Sequence, residues 1–311
     1  MVMAEPRKNP PLALRSLVVP AIFIGPAALA LVLLMAVPIA DAVILSFQNW
    51  NGMKPPTWAG FGNYIRLTQD ATFFRAIWQT AYFTICTAIL QTIIPLLIAS
   101  LLNSGIRGSS IYRTLYFMPV IISLAISGLL WAMLFKPNFG PINTVLRAVH
   151  LGAFTQLWLA SSATVMPSVI IVSVWQSLGF YLVIFFAALQ AVPQELYEAA
   201  KIDGANAWHR FFNVTVPTIR PVIVIVIVLN TINGIKVFDQ IWVMTAGGPD
   251  YASATLGTYL YSIAFGAMGA SNSRLGYAAA IAIVILLLSL VVSMIQIRLG
   301  RGRDIDSQIE K

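Results

Sequence analysis

Long apolar runs set the pattern of this chain. Six stretches, at about 17–46, 76–102, 114–135, 164–190, 221–243 and 275–298, are almost free of charge. Each is long enough to cross a hydrocarbon core of roughly 30 Å, which takes about 20 helical residues. Backbone in lipid must satisfy its own hydrogen bonds, and these runs exceed the length of barrel strands, so the pattern predicts helices. Pro26, Pro38, Pro95, Pro119 and Pro167 fall inside the runs and mark kinks or helix starts. The expected fold is an all-α polytopic membrane protein with six transmembrane helices. One membrane domain over 17–300 would lie between a short N-terminal segment (1–16) and a charged tail (301–311).

Composition strengthens this reading. Of 311 residues, 59% are apolar and 10% charged, whereas a soluble domain carries about 25% charged residues. A net charge of +8 would suit a nucleic-acid binder. The basic residues, however, sit in short patches between apolar runs and form no groove with exposed aromatics, which argues against nucleic acid. With the N-terminus inside, 12 of the 19 Lys and Arg fall in inner segments. That bias predicts both termini in the cytoplasm. Trp50, Trp58, Trp78, Trp131, Trp158 and Trp242 fall near the expected outer boundary, where amphipathic rings prefer to sit. Arg7, Lys8 and Arg15 precede the first run as in a signal peptide, but that run is far longer than a secretory apolar region of about 7–15 residues, so an uncleaved first span is expected.

Catalytic chemistry is not legible. Cys86 is the only cysteine, so an intrachain disulfide is excluded and a small core hydrophobe is the plain reading. His150 and His209 lie on opposite sides of the membrane and form no metal set. No acid/base pair and no nucleophile–base arrangement appears. The Gly-x-x-x-x-Gly-Lys-Ser/Thr phosphate cradle is also missing, so no nucleotide site is expected in this chain.

The link between the fourth and fifth runs carries more information. Pro193 suits a first helical turn, with Glu195 and Glu198 near its positive end. Gly204 stops that helix, and Asn206 is placed to cap a second one bearing Trp208, Phe211 and Phe212. A helix–turn–helix on the cytoplasmic side follows, with small residues on the first helix and aromatics on the second. On physical grounds alone an interfacial amphipathic hairpin reads equally well.

Glu198-Ala199-Ala200, three residues, Gly204, nine residues and Val214-Thr215-Val216-Pro217 resemble the EAA motif of binding-protein-dependent ABC importer permeases. Val214 and Val216 replace the motif's Ile and Leu. Ser46-Phe47-Gln48-Asn49-Trp50, Gly60-Phe61-Gly62-Asn63-Tyr64, Arg113-Thr114-Leu115-Tyr116-Phe117-Met118-Pro119, Leu189-Gln190-Ala191-Val192-Pro193 and the run Val237 to Pro249 are similar to the carbohydrate-importer branch. Within it the chain looks like the short form of the subunit that pairs with a second, different permease. The resemblance implies a non-catalytic subunit in a bacterial or archaeal inner membrane. Its implied partners are the second permease, two copies of an ABC ATPase that hold ATP and Mg, and an extracytoplasmic solute-binding protein. That protein would be received by the outer loops at about 48–75, 136–163 and 244–274. The cargo would be a sugar or polyol. Glu198, Ala199, Ala200, Asp203, Gly204 and Pro217 would couple the chain to the ATPase, and no cofactor would bind the chain itself.

Polar residues within the spans are costly unless they face a cavity or partner helices. Trp175, Gln176 and Tyr181 in the fourth run, and Asn230, Asn233 and Gly234 in the fifth, offer amides, a hydroxyl and aromatic faces of the kind a neutral polyol needs. With Phe238 and Asp239 they are the substrate-path candidates, and interhelical hydrogen bonding is the other reading. The stretch Asn230 to Gly234 is expected to interrupt its span. Asp239 is expected to gate, bind substrate or pair with Lys236 three residues away. An ion-coupled secondary transporter is the rival function. It would want a carboxylate deep in a span, and Asp41 and Asp239 both lie toward one edge.

Overall fold

The computed structural model describes residues 12–266 and 273–301. Most of the expected N-terminal segment and tail lies outside these residues. The first span is helix α1 (Leu12–Leu31), a π turn (Val32–Ala36) and α2 (Val37–Ser46). From Ile22 onward its apolar side chains are exposed nearly all round, Phe23 at 80%. A helix apolar on every side with no protein around it faces lipid or another chain. Its far end is tied down. Buried Asn63 donates through Nδ2 to the carbonyls of Ser46 and Gln48, both at 2.9 Å, and Tyr64 Oη donates to Ser46 Oγ at 2.7 Å. Two short motifs separated in sequence thus close around the two-residue strands β1 (Gln48–Asn49) and β2 (Thr57–Trp58) and helix α3 (Gly62–Gln69).

Helix α4 (Ala71–Asn103) is the central strut. Its 33 residues extend about 50 Å at 1.5 Å per residue, longer than a hydrocarbon core of roughly 30 Å. Asp70 caps it, accepting from the amides of Thr72 and Phe73.

The third run, expected as one helix, is two. Helices α5 (Ser109–Ile121) and α6 (Leu124–Leu134) meet at 96°. Pro119 deprives the last turn of α5 of an amide, Ile122 is extended, and Ser123 caps α6 through its hydroxyl. Helix α7 (Pro141–Ala148) follows, and then α8 (Val165–Gln190), which matches its expected limits and packs along α4.

Past α8 come α9 (Gln194–Ile202), α10 (Ala207–Arg210), a π turn (Phe211–Thr215) and α11 (Val216–Thr218). The chain then bends by 72° into α12 (Arg220–Ile235). The fifth span does break, but after Asn230–Gly234 rather than within it. Those residues stay helical because Gly234 lets α12 approach α4. A Cβ there would sit 2.9 Å from Thr84 Cα. The interruption falls at Lys236–Phe238, and α13 (Asp239–Thr245) resumes beyond it. The freed carbonyl of Val237 accepts from Thr255 Oγ1 at 3.1 Å.

The segment expected as an outer surface loop at 244–274 contains α14 (Leu256–Phe265). Its Leu256, Tyr259 and Ile263 are buried against α4 and the last helix, α15 (Leu275–Arg301). Among the described residues, four helices are long and apolar enough to cross a membrane, and six spans result when each bent pair counts as one. Three apolar clusters hold the bundle together. One joins α4, α14 and α15, one α4, α8 and α12, and one α6, α8 and α13 around Phe83.

Candidate functional site

The corner of the third span and the α12–α13 gap of the fifth open beside the same cavity. It measures about 570 Å³ and lies between α4, α8, the α5–α6 corner and the α12–α13 gap. Discontinuous helices supply polar backbone and side chains at membrane depth where a substrate must be met. Seven of the eight substrate-path candidates line it: Gln176 and Tyr181 from α8, Asn230, Asn233 and Gly234 from α12, and Phe238 and Asp239 at the gap. Trp175 is the exception. It points away from the cavity and packs edge-on against Trp131, centroids 5.4 Å apart.

The polar groups around the cavity do different work. Gln176 donates through Nε2 to the Ile122 carbonyl at 2.9 Å, satisfying the backbone freed by the break in the third span. Its Oε1 is buried with no partner among the described residues. Asn230 is 1% exposed, and neither end of its amide is hydrogen-bonded among the described residues. Tyr181 interacts with Asn233. Lys236 and Asp239 both reach the cavity mouth, yet the expected ion pair between them does not form. The helical spacing that would join them is lost because Lys236 lies just past the end of α12 and Asp239 begins α13.

Sequence reasoning missed Gln91, Thr87, Ser123 and Ser173 in this lining. Gln91 Nε2 donates to Ser173 Oγ at 3.2 Å. The signal was present as a buried polar stripe down α4, Thr80, Thr84, Thr87 and Gln91, at helical spacing.

The 193–217 segment is a helix–turn–helix at the end of the molecule away from Asp70. Gly204, at φ +77°, makes the turn. The Ala205 amide donates to the Ala200 carbonyl at 2.9 Å and the Gly204 amide to Lys201 at 3.1 Å, a Schellman closure. Asn206 caps α10 by accepting from the His209 amide, and Arg210 holds the turn by donating to the Ala205 carbonyl at 2.7 Å. Tyr197 and Thr215 hydroxyls, 3.0 Å apart, tie the two arms together. Glu198, Ala199, Asp203, Gly204 and Pro217 are exposed, and Ala200 is half-buried. Beside them Ile202 and Trp208 stand 86% and 65% exposed. The turn is thus braced internally while these apolar side chains stay uncovered.

At the opposite end, Asp70 gathers four donors: the amides of Thr72 and Phe73, and the hydroxyls of Tyr259 at 2.5 Å and Tyr277 at 2.6 Å. Burial pushes this carboxyl up, and the hydrogen bonds outweigh it, leaving Asp70 below its ordinary value.

Residues 96–304 match the family model described as "Binding-protein-dependent transport system inner membrane component". A probable ABC transporter permease protein of Bacillus subtilis, YurN, is 34% identical over 284 residues, spanning 90% of this chain and 95% of its own. A probable starch degradation products transport system permease protein, AmyD, of Thermoanaerobacterium thermosulfurigenes is 31% identical, spanning 92% and 94%. A crystal structure of a bacterial ABC transporter involved in import of the acidic polysaccharide alginate shares the fold, with a TM-score of 0.79 at 24% identity over 93% of this chain and 96% of that one. By its broken spans, its turn at 193–217 and these likenesses, the chain belongs to the binding-protein-dependent transport system inner membrane components, the multi-pass permeases of ABC importers.

Proposed function

We propose that this permease passes a neutral saccharide through the 570 Å³ cavity, driven by ATP hydrolysed on a separate subunit that docks on the 193–217 turn. The observation that carries the saccharide reading is the cavity lining. Amide and hydroxyl groups of Gln176, Ser177, Asn230 and Asn233 stand beside the rings of Phe180, Tyr181 and Phe238, hydrogen-bonding groups next to stacking faces. AmyD, named for transport of starch degradation products, supports the same substrate class. Glu198, Ala199, Ala200, Asp203, Gly204 and Pro217 form the docking surface, and ATP and Mg belong to the ATPase pair. The 193–217 side and both termini are cytoplasmic in this reading. A second, different permease completes the pathway, and a solute-binding protein delivers cargo to the Asp70 side.

The test is uptake in proteoliposomes that hold this chain, its neighbouring permease and the ATPase, with ATP enclosed and binding protein outside. Accumulation of a labelled malto-, arabino- or chito-oligosaccharide that needs both ATP and the binding protein is expected. Uptake driven by a proton or sodium gradient without ATP would replace this reading with the ion-coupled alternative.

A further inference from the structure

Four aromatic rings lead from the cavity wall toward the Asp70 end of the molecule. Phe238 and Trp242, four residues apart, stack at 5.9 Å and 23°. Trp242 meets Tyr261 on α14 at 4.6 Å, and Tyr261 meets Phe265 at 4.7 Å one turn farther on. Phe238 also touches Tyr261, at 5.0 Å. The run starts in the cavity, because Phe238 lines it. It ends at the surface, because Phe265 closes α14 and is 66% exposed. The direction of α14 follows from its bonds to α4: the Leu256 amide donates to Thr80 Oγ1 at 2.8 Å, and the Tyr259 hydroxyl donates to Asp70 at the head of that helix. Helix α14 therefore climbs along α4 toward its capped end.

An interfacial belt scatters Trp and Tyr around the circumference at one depth. These rings instead touch in series, rise with depth and terminate in the cavity. Phe238, Trp242 and Tyr261 are all half-buried, so each leaves part of its ring open. We propose that Phe238, Trp242, Tyr261 and Phe265 form a stacking track along which a saccharide moves between the outer surface and the cavity. The track rests on the saccharide reading above. A pyranose lays its C–H face on a ring and keeps its hydroxyls at the edge for water or polar side chains. Partial stacking at several neighbouring rings gives contacts strong enough to capture and weak enough to release, which passage requires.

Phe265→Leu and Tyr261→Leu keep apolar bulk and remove the ring, whereas Phe265→Tyr and Tyr261→Phe keep the ring. In the proteoliposomes described above, the probe is whichever labelled malto-, arabino- or chito-oligosaccharide the wild-type complex imports fastest. The leucine variants are expected to lose uptake by about tenfold, the aromatic swaps to keep it, and all four to retain ATP hydrolysis stimulated by the binding protein. Leucine variants that import at the wild-type rate would overturn the track and leave the rings as packing between α13 and α14. Loss of stimulated hydrolysis together with uptake would overturn it as well, because the rings would then serve docking or folding. A wild-type complex that imports none of the panel removes the saccharide reading itself.

Discussion

At the scale of single residues, Asp70 and Gly204 show how much one position fixes. Asp70 joins α4, α14 and α15 through four hydrogen bonds on one carboxylate. Asp70→Ala removes a helix cap and strands two tyrosine hydroxyls, a loss of roughly 2–4 kcal/mol. The carboxyl lies below its ordinary value in the fold. Its contribution is therefore present above the unfolded value of about 3.9 and lost as pH falls through the folded one. Melting of the purified wild type is expected to decline more steeply than that of Asp70→Asn between about pH 5 and pH 3, and parallel curves would contradict this. Gly204 follows a different logic. A Cβ there would meet nothing within 4 Å, so space does not require glycine; the backbone at φ +77° does. β-branched residues are outliers in that region, whereas Asn enters it with little penalty.

At the scale of elements, the close contacts and the breaks determine the shape. Gly179 on α8 lies where a Cβ would overlap the Tyr116 carbonyl and sit 2.6 Å from Phe117 Cα. Gly179→Val is expected to push α5 off α8 and cost about 1–3 kcal/mol or more, read as a lower melting temperature and less monodisperse protein. Gln176→Leu leaves the Ile122 carbonyl without its donor and is expected to destabilise by about 1–3 kcal/mol. A variant that melts with wild type would show that the broken third span does not depend on that bond. The apolar runs marked the helices well, and α8 lies within a residue of its expected limits. Pro119 marked a kink in the third run, but not a 96° corner at Ile122–Ser123, because the apolar run resumes directly after Ser123. The polar Asn230–Gly234 stretch looked like an interruption but is helical, since small and amide side chains serve close packing as readily as they mark a break. Helix α14 was hidden by its length, only 10 residues between turns.

At the scale of the whole molecule, α8 and α12 link the cavity to the 193–217 turn. Helices α8 and α12 line the cavity with Gln176, Tyr181, Asn230 and Asn233 and continue at their other ends into the two arms of the turn. In the proposed coupling, a partner that moves the turn would move both cavity walls through these helices. The turn was legible in the sequence down to its glycine and its Asn206 cap. Trp175 was not, because the sequence places it near Gln176 in depth without saying which face of α8 it occupies. Single cysteines at Ser104 and Asp250 on a Cys86→Ala background are expected to react with a membrane-impermeant thiol reagent from opposite sides, Ser104→Cys from the cytoplasm. Labelling of both from one side would contradict the proposed orientation. Coupling itself is tested most directly by saccharide-stimulated ATP hydrolysis in the assembled complex, comparing wild type, Gly204→Asn and Gly204→Val. Stimulation that survives in Gly204→Asn and disappears in Gly204→Val, with the ATPase still bound, is the expected result. Full stimulation of Gly204→Val would show that the turn does not carry the coupling.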